Sequence, residues 1–141
     1  MDTNKLMLAL ENDSNESLLN FTTEKIFQLN KQIISEFNLN RQDTLDLLNK
    51  LRNYKYVDEM SDLKTGTYLR WINIENPNKI ILNKGALFCD TKIMDDGVYL
   101  TLKNFGYSNK HFQLSLDKNV FFQKLTDQEL ILLSALDHLS K

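Results

Sequence analysis

Between residues 67 and 125 the chain is a succession of short apolar–polar alternations, broken at intervals of about ten residues by turn formers. A period of two sends neighbouring side chains to opposite faces of a strand, so this run can fold only as a set of short strands that bury one face. The alternation predicts strands over 68–74, 79–83, 86–94, 98–103, 112–116 and 120–125. Between them lie Asn76-Pro77-Asn78, Lys84-Gly85, Asp95-Asp96-Gly97, a turn over 106–109, and Asp117-Lys118-Asn119. Asp95-Asp96-Gly97 is the strongest local signal, because Asp-Gly tolerates the positive φ angles of a type I′ hairpin turn. Connections this short favour an antiparallel meander. Five or six strands escape exposed edges by curling, which predicts a small barrel of the SH3-like or OB-like kind.

The flanking sequence has the period of a helix. Residues 1–20 carry Leu6, Leu8 and Leu10 and are then interrupted by the polar run Glu11 to Glu16, so a weakly helical or mobile arm is expected. Residues 21–66 read as a helical hairpin and a linker. Thr22 or Thr23 caps a helix to about residue 37, with Ile26, Leu29, Ile33 and Phe37 in one stripe. A turn at 38–40 leads to a second helix over 41–53, and 57–66 forms the linker. Residues 67–141 then make the barrel and a last helix. That helix opens at Thr126-Asp127-Gln128-Glu129, a capping box, and presents Leu132, Leu133, Ala135, Leu136 and Leu139, so it is expected to seal the sheet. The fold class expected is therefore α+β.

Composition narrows the function classes. The 141 residues carry a net charge of −2 and 42% hydrophobic residues, which suits a packed domain and excludes a strongly basic coat or an acidic tail. A lone cysteine, Cys89, has no intrachain partner, and with no apolar leader at the start an intracellular location is expected. No apolar run reaches membrane-spanning length, so no membrane association is expected. His111, His138 and Cys89 are too few and too scattered for a metal site or a nucleophile–base pair. No glycine-rich phosphate loop or nucleophile elbow occurs. No cofactor and no enzymatic activity are expected.

Charge and aromatic residues are uneven. Residues 67–125 hold eight Lys/Arg against five Asp/Glu, whereas residues 1–66 hold eight against eleven. The same sheet region holds nine aromatics, among them Tyr68, Trp71, Tyr99, Tyr107 and Phe112. A mildly basic, aromatic sheet can stack and hold single-stranded nucleic acid. The favoured reading is that it complements acidic helices docked on it, because an excess of three positive charges is thin for phosphate binding. Phe112 shares strand parity with Leu114 and Leu116 and so belongs to the core. The residues that would contact nucleic acid or a partner are Arg70, Lys92, Tyr99, Lys103 and Tyr107.

Gly66-Thr67-Tyr68-Leu69-Arg70-Trp71-Ile72, with the ending Phe122-Gln123-Lys124-Leu125-Thr126-Asp127-Gln128-Glu129 through Asp137, resembles small uncharacterised proteins of large nucleocytoplasmic DNA viruses. The resemblance spans roughly residues 54–141. It implies a viral origin and a place in the host cytoplasm or the virion, and it brings no catalytic residues. The expected function is a non-enzymatic interaction module that docks on a protein partner, as a viral structural or replication accessory protein, and self-association is compatible with it. The alternative is a nucleic-acid-binding small β-barrel.

Overall fold

The computed structural model describes residues 2–104 and 110–140. Four α-helices flank a six-stranded antiparallel sheet: α1 Thr3–Glu11, α2 Thr23–Ser35, α3 Arg41–Lys50, and α4 Asp127–Leu139. The strands are β1 Tyr54–Tyr56, β2 Tyr68–Asn73, β3 Ala86–Met94, β4 Gly97–Lys103, β5 His111–Ser115 and β6 Asn119–Lys124. Their spatial order is β1-β6-β2-β3-β4-β5. The α+β class stands as expected, but the barrel does not, because the sheet is not closed.

Helix starts follow the side chains that can satisfy their free amides. Thr22 Oγ1 accepts from Lys25 N at 3.2 Å and Asn40 Oδ1 from Asp43 N at 2.8 Å. At α4 the capping box closes in both directions, Glu129 N donating to Thr126 Oγ1 at 3.1 Å and Thr126 N to Glu129 Oε1 at 2.9 Å. The N-terminal twenty residues are helical and also docked. Ala9 and Leu18 are buried with Ile26, Leu125, Leu132 and Leu133, so α1 and the 3-10 helix Asp13–Asn20 complete the cover over α4. Their weak periodicity gave no sign of this, because the contact is made by Leu6, Ala9, Asn15 and Leu18 while Leu8 and Leu10 stay exposed.

The helical hairpin lies on the sheet. Ile34, Leu47, Leu48 and Leu51 pack on Ile72 of β2 and Phe122 of β6. The opposite face carries Leu69, Ala86, Phe88, Leu100, Leu102 and Phe121. That face is folded over on itself. Trp71 and Phe112 have ring centroids 5.7 Å apart, although β3 and β4 intervene between their strands. Three strand spacings in a flat sheet would separate them by about 14 Å.

The sheet is left open between its two edge strands, β1 and β5, because β6 pairs on both sides, with β1 and β2. At the turn from β5 to β6, Asn119 Nδ2 donates to the Ser115 carbonyl at 2.9 Å. The β1 edge is three residues long and paired only to β6. It lies in a segment that reads as helix end and linker, because Tyr54 extends the apolar face of α3 in sequence. The strand expected over 79–83 is reduced to one bridge, Ile72 to Leu82. The hairpin at Asp95-Asp96 forms, but not as type I′. Positive φ falls on Gly97 (140°), beyond the two loop residues, neither of which has positive φ. Gly85, at φ 116°, holds a backbone conformation that side chains rarely adopt, and a Cβ there would press the Leu69 carbonyl oxygen at 3.3 Å.

Candidate functional site: an apolar groove between three helices

A concavity of about 550 Å³ lies where α2, α3 and α4 diverge. Its floor is Ile26, Leu48 and Leu133, all buried. Its walls are Phe27 on α2, Leu45 on α3 and Leu130 on α4, which remain 42%, 48% and 37% exposed. Each wall residue is a large apolar side chain held half in water by its own helix. Leu45 stands outside the stripe that α3 lays on the sheet, and Phe27 follows Ile26, so it leans away from the core side. Glu24 of α2 and Arg52, just past α3, are the charged residues of the groove's lining. Glu24 accepts from Gln28 Nε2 at 2.8 Å, and the ion pairs formed among the described residues do not include Arg52.

A polar bracket ties α4, which forms one wall of the groove, to the linker and the N-terminal arm. Lys64, in the linker, reaches Glu129 Oε2 at 3.3 Å and donates to Asn15 Oδ1 at 2.9 Å. Asn15 in turn donates to the Ala9 carbonyl and to Gln128 Oε1. Gln123 is bound on both sides of its amide, accepting from Lys64 N and donating to the Asp62 carbonyl, each at 2.8 Å. Buried polar groups satisfied in this way fix geometry more than they add stability. Here they lock the linker, the N-terminal arm and α4 in one arrangement. At the groove's inner end Asn30 bridges to β1, its Nδ2 donating to the Tyr54 carbonyl and its Oδ1 accepting from Tyr56 N. Burial raises the pKa of Tyr54 above the usual phenol value, with Arg70 pulling the other way. Burial also raises that of Tyr56, and Asp58 and Glu36 add to it.

The residues picked out for contact from the sequence do not all meet. Lys92 and Tyr99 are directly paired across β3 and β4, and Lys103 lies four residues from Tyr99 on the same face of β4. This outer face also carries Asp90 and is bordered by Asp96, which accepts from the Tyr99 hydroxyl at 2.8 Å. That bond, more than burial, raises the pKa of Tyr99. Arg70 is committed elsewhere. Its Nε donates to the Asn83 carbonyl at 2.9 Å and its Nη1 to the Lys50 carbonyl at 3.3 Å, so it pins the C-terminus of α3 to the sheet. Tyr107 lies outside the described residues. Trp71 and Phe112 are partly buried against the folded-over core. No group of three or more His, Cys, Asp or Glu side chains that could hold a metal comes together among the described residues, and no helix among them is long and apolar enough to cross a membrane.

No protein-family model, curated protein or solved structure matches this chain. Its function has to be argued from the groove. The signal for it was present in the sequence as Phe27, Leu45 and Leu130. Phe27 follows buried Ile26, and Leu45 and Leu130 each stand three residues before a buried leucine, Leu48 and Leu133, so each reads as a mere widening of its helix's core stripe.

Proposed function

We propose that the chain is a non-enzymatic interaction module that receives an amphipathic helical segment of a protein partner in the groove between α2, α3 and α4. The observation that supports this most is the triangle of half-exposed Phe27, Leu45 and Leu130 around a preformed apolar cleft. A helix laid in a groove anchors through side chains at spacings of three and four residues, and the cleft offers apolar walls on three sides for such anchors. The likeness of residues 54–141 to proteins of large nucleocytoplasmic DNA viruses favours a partner in a viral particle or in viral replication machinery, inside the host cell. The test is a photo-crosslinking amino acid placed at Leu45 and, separately, at Lys92 in the cells where the protein is made. Adducts to an apolar-faced helical peptide are expected from position 45 and not from position 92. Silence at 45, or adducts only at 92, overturns the proposal.

A second reading rests on Lys92, Tyr99 and Lys103 sharing one outer face: a weak nucleic-acid contact in which Tyr99 stacks a base. Fluorescence anisotropy with single-stranded oligonucleotides at two salt concentrations tests it. Binding that falls steeply with salt is expected if this face is used, and no binding at low salt removes it.

A further inference from the structure

The chain itself carries a helix with the chemistry that the groove asks for. On α1, Ala9 is buried and Leu6 is half-buried on the core side, while Met7, Leu8 and Leu10 are 52%, 59% and 51% exposed. A nine-residue helix that turns three large apolar side chains to water is half of an interface. Lys5 and Glu11 flank those three residues, and both are exposed and form no ion pair among the described residues. They are six residues apart, about 9 Å along the helix. The groove's lining also carries one charge of each sign, Glu24 on α2 and Arg52 just past α3, so each charge of α1 has a counterpart there. The two surfaces are also neighbours. Leu8 and Leu130 border one shallow depression between α1 and α4, and Leu130 is a wall of the groove. A projecting element beside its own complementary groove is the arrangement that a two-fold axis converts into a closed, reciprocal dimer.

We infer that the groove is filled by α1 of a second copy of this chain, each copy inserting Met7, Leu8 and Leu10 between Phe27, Leu45 and Leu130 of the other, with Lys5 facing Glu24 and Glu11 facing Arg52. This inference rests on the helix-in-groove reading and names its occupant. It requires no change in either helix, since the apolar side chains on both surfaces already face water. The contact is formed twice in the dimer, so loss of either surface removes both contacts.

Sedimentation of the full chain tests it. The wild type is expected at twice 16.5 kDa, dissociating on dilution. Leu8→Glu and Leu45→Glu are each expected as monomers. An equimolar mixture of these two variants restores a weaker heterodimer, because the intact groove of the first accepts the intact α1 of the second. Misfolding of either variant would not give that restoration. Independently, Arg52→Glu weakens the dimer at least about tenfold, and adding Glu11→Lys to it restores the affinity. Both positions are exposed, so neither change threatens the fold. A wild type that stays monomeric at every concentration overturns the inference. If position 45 nevertheless crosslinks to a different protein, the groove reading survives without it. A dimer indifferent to Leu8→Glu and Leu45→Glu also overturns the inference, because it forms through another surface.

Discussion

The groove side and the outer face of β3 and β4 present two ways of meeting water. Around the groove, large apolar side chains are half-exposed and the flanking Arg52 has no acidic partner among the described residues. On the outer face, charges alternate in sign and Tyr99 spends its hydroxyl on Asp96. Water holds a charged, internally hydrogen-bonded face as well as a partner would, so little free energy is released by covering it. Covering half-exposed leucine and phenylalanine releases the apolar hydration cost, about 25 cal/mol for each Å². The difference says which surface is unfinished. It also shows why the sign of a charge count is a poor guide to a binding site: of the cations picked out from the sequence only Lys92 and Lys103 share a face, beside Asp90, and Arg70 spends its guanidinium on two carbonyls.

The largest effect breaks the comparison by removing the groove's foundation. Phe122 is fully buried between the sheet and the helical hairpin. Phe122→Ala should cost about 3–5 kcal/mol in chemical denaturation, and a loss below about 1 kcal/mol would mean that α2 and α3 do not depend on the sheet. Next is the bracket. Lys64→Met leaves the Glu129 carboxylate and Asn15 Oδ1 without their cation. Because Lys64 keeps 19% of its side chain in water, the expected cost is about 1–3 kcal/mol rather than that of a fully buried pair. The wall residues behave differently. Phe27→Ala and Leu45→Ala should each change stability by less than about 1 kcal/mol and yet weaken docking at least tenfold, about 1.4 kcal/mol, read from crosslinking yield or dimer affinity. Equal loss of stability and docking would make those residues core rather than contact. On the other face, Lys92→Ala with Lys103→Ala should leave stability within about 0.5 kcal/mol. It should leave docking unchanged as well. Only the nucleic-acid reading gives the pair a binding phenotype.

Much of the fold was legible because it depends on local chemistry. Thr22, Thr126 and Glu129 cap helices through their own side chains, and the strand alternation of β3, β4 and β5 sorts Phe88, Leu100, Leu102, Phe112 and Leu114 to one face without reference to anything distant. What was missed depends on partners far along the chain. The three-residue β1 exists because Tyr54, Lys55 and Tyr56 meet Lys124, Gln123 and Phe122, and because Asn30 holds its backbone. The sheet stays open because β6 inserts between β1 and β2 and leaves β1 and β5 as edges, an order that no count of strands reveals. The candidate site was the least legible part. A half-exposed leucine and a buried one obey the same helical period, and only the divergence of three helices separates Leu45 from Leu48.

The smallest effect is a titration that compares the same residue type on the two surfaces. Tyr54 lies at the groove and ionises late because burial disfavours the phenolate, whereas Tyr99 on the outer face does so chiefly because its hydroxyl donates to Asp96. In both cases the folded state holds the proton more tightly than the unfolded chain. The associated stability is therefore fully present below the ordinary phenol pKa of about 10 and is lost as pH rises through the raised folded values. Asp96→Asn should bring the Tyr99 transition down towards the ordinary value and leave that of Tyr54 where it is, observed by tyrosinate absorbance in variants that keep one of these two and carry phenylalanine at the other four tyrosine positions. Occupancy of the groove should do the reverse, driving Tyr54 higher by excluding more water while Tyr99 stays fixed. If dilution from dimer to monomer moves Tyr99 and not Tyr54, the outer face of β3 and β4 is the one that is covered, and the comparison is inverted.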